Sequence, residues 1–194
     1  MDFKEQAYSV LVVSAAEKFN TSVADLLPDF KYYPTTFVTG VSAAKRALVE
    51  REYDFVMINS PLPDGDGVRL AIDVCSGKNT VAIIMVRNEI YHDMLDKVSP
   101  YGIYLISKPT SKQVIGIALD WMASTRERLR KLEKKTISLE DKMSEIRIVN
   151  RAKWILISEL TMTEGDAHRY IEKQAMDRCI SKKEVAEEII KAYS

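Results

Sequence analysis

Cysteine and histidine are scarce in this chain, with two residues of each type among 194. Cys75 and Cys179 are far apart in the sequence and belong to no CxxC motif. The sequence therefore predicts neither a disulfide framework nor a zinc site. We expect two reduced thiols, no metal centre and no bound cofactor.

A long apolar run is also lacking. The longest early one, Val10 to Ala16, is far too short to span a membrane, and no basic segment with a cleavage-like site precedes it. These features predict a cytoplasmic protein that makes no membrane contact.

The chain has no excess of charge of either sign, because 28 lysine and arginine residues balance 28 aspartate and glutamate residues. Overall charge therefore does not indicate a nucleic-acid partner, and only a local group of basic residues could do so. The sequence contains no pairing of a nucleophile with a base, no metal-ligand cluster and no phosphate-binding loop. We expect no catalytic residues and no enzyme activity.

Short apolar runs alternate with helical periodicity over the first 120 or so residues, which is typical of βαβ units. This alternation predicts an α/β fold with a five-stranded, doubly wound parallel sheet. The predicted strands are 8–13, 35–38, 54–58, 82–86 and 103–106. The predicted helices between them are 17–27, 42–51 with Ser42 as its cap, 68–75 and 91–97.

Two stretches carry a family resemblance: YDFVMINSPLPDGDGVRL around the third strand and LISKPTSKQVI around the fifth. With the order of the elements, they resemble the receiver domain of bacterial response regulators. In that family an acidic pair follows the first strand, and a phosphate-accepting aspartate ends the third strand four residues before a proline. A Thr or Ser ends the fourth strand, and Lys-Pro follows the fifth.

Only the last of these family features is present, as Lys108 followed by proline. Ser14 and Ala15 replace the acidic pair, Asn59 replaces the aspartate, and Val86 stands at the end of the fourth strand. Phosphoryl transfer to a carboxylate needs that nucleophile and a Mg²⁺ ion held by charged oxygens, which these residues do not supply. The resemblance thus implies a pseudoreceiver with a degenerate phospho-acceptor site. Lys108 is then expected to be a solvated or hydrogen-bonded lysine.

A long helix is predicted next, because neither glycine nor proline occurs between Gly116 and Gly165. A heptad that starts with Ile115 at position a is clearest over residues 129–146, where charged residues flank a narrow apolar seam. This seam predicts a two-stranded coiled coil and hence a homodimer; a single helix that folds back on the first domain is the alternative. The seam residues are Leu129, Leu132, Leu139, Met143 and Ile146.

Two further helix starts follow, at Thr163 and at Ser181, the second with the Ser-x-x-Glu pattern of a capping box. With the end of the long helix they predict a domain of three short helices, in which Trp154 and Tyr170 are expected to lie in the core. The stretch NRAKWILISELTMTEGDAHRYIEKQAMDRCISKKEVAEEII resembles the ANTAR domain of transcription antitermination regulators. The predicted organisation is a receiver-like domain over 1–122, a coiled-coil linker over 123–148 and an ANTAR-like domain over 149–194.

The ANTAR resemblance implies a dimer that binds paired hairpins in a leader transcript and so prevents formation of a terminator. A hairpin loop is bound through positive charge near its backbone and through side chains that stack on splayed bases. A second expected partner is a regulatory protein bound to the receiver-like domain. The expected RNA-binding residues are Arg151, Lys153, His168, Arg169, Lys173 and Arg178, and Arg147 extends the same positive face.

Two other function classes remain open at this point. The first is a DNA-binding regulator with a helix-turn-helix, against which stand the three glutamates of the last helix, KKEVAEEIIKAY. The second is a dimeric scaffold that binds protein alone, since a nearly neutral domain behind a coiled coil can do so.

Overall fold

The computed structural model describes residues 7–76 and 80–193. The chain divides into two compact units, one that ends at Lys131 and one that begins at Leu132. The first unit therefore extends further along the chain than the predicted boundary at residue 122.

Five parallel strands form a single sheet in the order β2-β1-β3-β4-β5. This order is that of a doubly wound fold, and it confirms the predicted α/β class. The strands are β1 (Tyr8–Val13), β2 (Tyr32–Val38), β3 (Phe55–Asn59), β4 (Val81–Arg87) and β5 (Tyr104–Lys108).

Seven α-helices accompany these strands in the described residues, and the fifth of them is 49 residues long. Four lie between the strands and the other three follow the sheet, as predicted. The helices are α1 (Glu17–Ala24), α2 (Val41–Glu50), α3 (Gly67–Cys75), α4 (Tyr91–Val98), α5 (Lys112–Leu160), α6 (Glu164–Arg178) and α7 (Lys182–Ala192).

Both faces of the sheet are covered by helices, which is why its central strands are continuous apolar runs. In β1, Leu11 and Val13 pack with α2, α3 and α4, whereas Val10 and Val12 pack on the opposite face. That opposite face is closed by α1 and by the start of α5. The carboxyl ends of the strands meet at one edge, where β1 and β3 lie side by side.

The first turns of α5 belong to the receiver-like domain. Ile115, Leu119 and Met122 are buried against the sheet, and Leu129 is partly buried against the same core. The heptad positions at Ile115, Met122 and Leu129 are therefore occupied by contacts within the domain. Leu129, which we expected in the coiled-coil seam, packs against this domain instead.

The second unit has its own small core, built from the end of α5, α6 and α7. Leu156, Ile171 and Val185, one from each of these helices, are buried there together with small alanines. Ser181 and Glu184 form a reciprocal capping box at the start of α7. Among the described residues, no helix is both long and apolar enough to cross a membrane.

Candidate functional sites

A hydrogen-bonded group that we name the Asn59 cluster lies at the carboxyl edge of the sheet and consists of Asn59, Ser14 and Lys108. Asn59 ends β3 and is buried, and its Nδ2 donates to Ser14 Oγ at 3.0 Å. Lys108 Nζ donates to Asn59 Oδ1 at 2.9 Å and also to the carbonyl oxygen of Ser60. The amide of Asn59 thus has a partner at each end, and Lys108 is the hydrogen-bonded lysine that we expected.

The other two residues expected at this edge take no part in the cluster. Ala15 is exposed and carries only a methyl group, and Val86 is fully buried. The fourth strand continues one residue beyond Val86 and ends at Arg87, whose charge faces the same edge. Burial, and then the positive charge of Arg87, lower the pKa of Lys108 below its ordinary value.

The two carboxylates of the loop between β3 and α3, Asp64 and Asp66, cap helices. Asp64 Oδ1 accepts from the backbone N–H of Val41 at 2.7 Å, and Oδ2 accepts from that of Ser42 at 2.9 Å. These hydrogen bonds hold the pKa of Asp64 below its ordinary value. The cap of α2 is thus supplied from another loop, and the expectation that Ser42 would cap it was wrong. Asp66 caps α3 locally, through the N–H two residues on.

Lys153 occupies a different environment from the exposed position that we expected. Its side chain is only 16% exposed, and Nζ lies 3.3 Å from Glu164 Oε1. Because Glu164 begins α6, this ion pair joins the end of α5 to the next helix. Lys153 is therefore largely committed to a contact inside the ANTAR-like unit.

Three other expected RNA-binding residues also have carboxylate partners within the second unit. Arg178 forms a bidentate ion pair with Glu188, with nitrogen–oxygen distances of 2.6 and 2.7 Å. Arg169 lies 2.7 Å from Asp166, and His168 lies 3.3 Å from Glu172. The Arg178 pair links α6 to α7, so its first role is structural, whereas Arg169 and His168 pair within α6.

Among the basic residues expected at the RNA-binding surface, three form no ion pair with any described carboxylate: Arg147, Arg151 and Lys173. Arg147 and Arg151 are exposed on α5, and they precede Trp154 by seven and three residues. Helical spacing places the side chains of Arg147, Arg151 and Trp154 on one surface of α5, which we name the arginine face.

Trp154 is 70% exposed, so the expectation that it lies in the core was wrong. Tyr170 is likewise exposed. A tryptophan exposed between basic residues is a feature of surfaces that bind a partner. The sequence contained a usable signal, because the buried Ala152 and Leu156 lie on the opposite side of the helix from Trp154.

The remaining predicted seam residues are all exposed along α5. Leu132, Leu139, Met143 and Ile146 are each at least half exposed in the single chain. Their spacings of seven, four and three residues line them up as one apolar strip, which we call the seam. Ile137, which is 58% exposed, lies off that strip at heptad position b.

Known proteins resemble both units of the chain. The ANTAR domain family matches residues 138–190. The transcriptional regulatory protein PdtaR of Mycobacterium tuberculosis is 29% identical over 139 residues, which are 71% of this chain and 67% of that protein.

Solved structures resemble the first unit in fold. The signal receiver domain of an HD domain-containing protein from Pseudomonas fluorescens Pf-5 superposes with a TM-score of 0.58 at 23% identity, covering 68% of this chain and 96% of that one. A CheY-like response regulator receiver domain from Methylobacillus flagellatus gives 0.52 at 18% identity, with 60% and 99% covered. The chain thus resembles ANTAR regulators, with a match to the ANTAR domain over residues 138–190 and a receiver-like α/β fold in front of it.

Proposed function

We propose that this protein is a transcription antitermination regulator that binds, as a homodimer, paired hairpins in leader transcripts through its ANTAR domain. The observation that carries the proposal is the arginine face: two exposed arginines, which form no ion pair with a described carboxylate, stand beside an exposed tryptophan. Arginine binds phosphate through charge-assisted hydrogen bonds. An arginine that forms no ion pair within the protein can bind phosphate without first breaking such a pair.

The basic residues of the ANTAR domain differ in how readily they can bind RNA. Arg147, Arg151 and Lys173 are available, whereas Lys153, Arg169 and Arg178 would have to exchange a carboxylate for a phosphate. We therefore assign the main phosphate contacts to the first group. Arg169 and His168 remain secondary candidates, because the contacts of both with carboxylates are exposed, and exposed contacts of this kind are weak.

Glutamates of α7 make DNA recognition by that helix a weaker alternative. Hydrogen bonds from Ser181 hold the pKa of Glu184 below its ordinary value, so this residue keeps its negative charge on the last helix, and Glu188 already occupies Arg178. A recognition helix that enters a major groove normally presents basic and amide side chains. We therefore place RNA contacts on α5 rather than on α7.

Binding is predicted to depend on the arginine face. Arg147→Ala and Arg151→Ala should each weaken binding to a tandem-hairpin RNA by about 1.5 kcal/mol, the scale of one charged hydrogen bond. Each should also reduce the salt dependence of binding, because fewer counterions are released. Arg128→Ala, an exposed arginine of α5 in the first unit, is the matched control and should bind like the wild type.

One gel-shift series with the full chain tests the proposal. It compares a tandem-hairpin RNA, obtained by selection from a library with randomised loops, with a single hairpin and with duplex DNA of equal length. The tandem RNA should bind most tightly. Equal binding to all three would favour a DNA-binding surface or a basic surface without specificity. No binding to any of them would favour a scaffold that binds protein alone.

We further propose that the receiver-like domain works without phosphorylation and is controlled by contact with a regulatory protein. In the Asn59 cluster the amide accepts a hydrogen bond from the ammonium group, and no carboxylate of the described residues is hydrogen-bonded to either. Mg²⁺ needs oxygen ligands that carry charge, and the nearby Asp64 and Asp66 are committed to helix caps.

Small phosphodonors, or beryllofluoride with Mg²⁺, should therefore leave the protein unchanged in mass and in oligomeric state. Asn59→Asp alone should stay unmodified as well, because Ser14 and Ala15 still provide no charged metal ligand. Intact-protein mass spectrometry is the measurement. An added phosphate that maps to the peptide around Asn59 would show that the domain is a working receiver.

A further inference from the structure

A cavity of about 440 Å³ lies beside Trp154 where α5 meets the start of α6. One wall is the indole of Trp154, and apolar side chains of Ile157 and Met162 form part of the rest. Its polar lining consists of Asn150, Lys153, Thr163 and Glu164. The cavity thus combines an exposed aromatic face, an apolar floor and a polar rim.

We propose that this cavity holds one unpaired base of the bound RNA loop, stacked on the indole of Trp154. The inference rests on the proposed RNA-binding function and adds to it a defined base-binding site. Single-stranded loops are recognised in this way, by splayed bases that stack on aromatic side chains while their edges are hydrogen-bonded.

The exposure of Trp154 is the first argument. A side chain of this size normally buries most of its surface, and here 70% remains in water. No described residue packs a ring or a cation against the indole, so its face is open to a ligand. A stacked base would remove from water the apolar surface that the domain itself leaves exposed.

The polar groups around the cavity match a nucleotide. Asn150 makes no hydrogen bond with a described residue, and its amide offers both a donor and an acceptor to a base edge. Arg151 and Arg147 lie on the same surface of α5 as Trp154 and can hold the phosphates on either side of the stacked base.

The single carboxylate of the lining does not oppose this assignment. Glu164 is ion-paired with Lys153 at 3.3 Å, so its charge is compensated where a phosphate would approach. The rest of the lining is basic or neutral, which is compatible with a polyanion such as an RNA loop.

The chain offers a direct optical test, because Trp154 and Trp121 are its two tryptophans and both are exposed. In the Trp121→Phe variant of the full chain, the selected tandem-hairpin RNA should quench the remaining tryptophan emission. In the matched Trp154→Phe variant, the emission of Trp121 in the first unit should stay constant.

Affinity provides the second measurement. Trp154→Ala should weaken binding of the same RNA roughly 10- to 100-fold, the range for one lost base–aromatic stack, while Trp154→Phe should recover part of the loss. Thermal unfolding should be unchanged, because the indole lies outside the core.

An abasic substitution at each loop position in turn then identifies the base. One substitution should weaken binding to the wild type and have little further effect on Trp154→Ala, which is the sign that both changes remove the same contact. Fully additive effects at every position, or unchanged affinity of Trp154→Ala, would overturn the base site while leaving RNA binding intact. If no RNA is selected by the wild type, the proposed function itself fails, and the two results are thereby distinguished.

Discussion

Replacing Leu132 and Leu139 together by glutamate is expected to turn a dimer into monomers and to weaken binding of tandem hairpins about 100-fold or more. Both leucines lie on the seam and are at least half exposed in the single chain. In a parallel coiled coil each would face its own twin, so the variant would bring two pairs of carboxylates into an apolar interface.

The loss of affinity would come from the loss of linkage rather than from damaged contacts. Two linked RNA-binding domains gain a factor of about 10² to 10⁴ when both engage one molecule, and a monomer gains nothing. A single hairpin should therefore bind the variant about as well as it binds the wild type. Only the tandem RNA should lose affinity.

Ile137→Glu is the matched control for this prediction. Ile137 is an apolar residue of the same helix with similar exposure, but it lies off the seam. This variant should sediment as a dimer and should bind tandem hairpins normally. A Leu132→Glu, Leu139→Glu protein that still sediments as a dimer would place the contact between subunits elsewhere.

The sequence was sufficient for the fold because the signals that determine it are local. Each central strand is buried on both faces and therefore appears as an unbroken apolar run, as in Val10 to Val13. The start of β2 was missed: the strand begins at Tyr32, before Pro34, and not at residue 35. Because β2 is an edge strand, the missing N–H of Pro34 can face away from the sheet, and the proline does not end the strand.

The end of the receiver-like domain could not be found from periodicity. Residues 123–131 satisfy a helical repeat equally well whether they face a second helix or a sheet. The contacts of Asp54 show that this part of α5 belongs to the receiver-like domain, because its carboxylate binds Arg126 and Arg130. Such an ion pair joins residues more than 70 positions apart, and no pattern along the chain indicates it.

Ion pairs between helices also explain why only some of the residues expected to bind RNA are available for it. Lys153 and Arg178 have the composition and spacing of exposed basic residues, but each meets a carboxylate of a neighbouring helix, Glu164 and Glu188. Arg151 and Lys173 meet no such carboxylate in the part of the chain that the structure describes and remain available. The helical period specifies which side of a helix a residue occupies, but not what the next helix places opposite it.

The ion pairs of Asp54 provide the prediction with the largest expected effect on stability. Asp54 lies just before β3, and its side chain is 13% exposed. Oδ1 accepts from Arg126 Nε at 2.8 Å and from Arg130 Nη2 at 2.9 Å, and Oδ2 accepts from the backbone N–H of Ser9 at 3.0 Å. Burial alone would raise its pKa, but the two arginines and Ser9 outweigh burial and hold the pKa below the ordinary value of 3.8.

Asp54→Asn is therefore expected to lower the free energy of unfolding at pH 7 by roughly 3 kcal/mol, the lower end of the cost of removing one partner of a buried ion pair. The variant keeps the shape of the side chain but removes the charge of Asp54 from two largely buried guanidinium groups, of which Arg130 keeps its ion pair with Glu127. Urea unfolding followed by circular dichroism measures the loss. Asp120→Asn, which removes a solvent-exposed ion pair with Lys31, is the matched control and should change stability by less than about 1 kcal/mol.

The pH dependence of this difference separates the charge of Asp54 from its packing. A group whose pKa is lower in the folded state stabilises the fold above its unfolded pKa, and the stabilisation is lost as the pH falls through the folded pKa. The gap between wild type and Asp54→Asn should thus be constant near neutral pH and shrink below about pH 4, as the wild-type carboxyl becomes neutral like the amide. A gap that stays the same down to pH 3 would show that the asparagine disturbs packing or hydrogen bonding, and that the two arginines do not depend on the charge of Asp54 to hold α5 against the sheet.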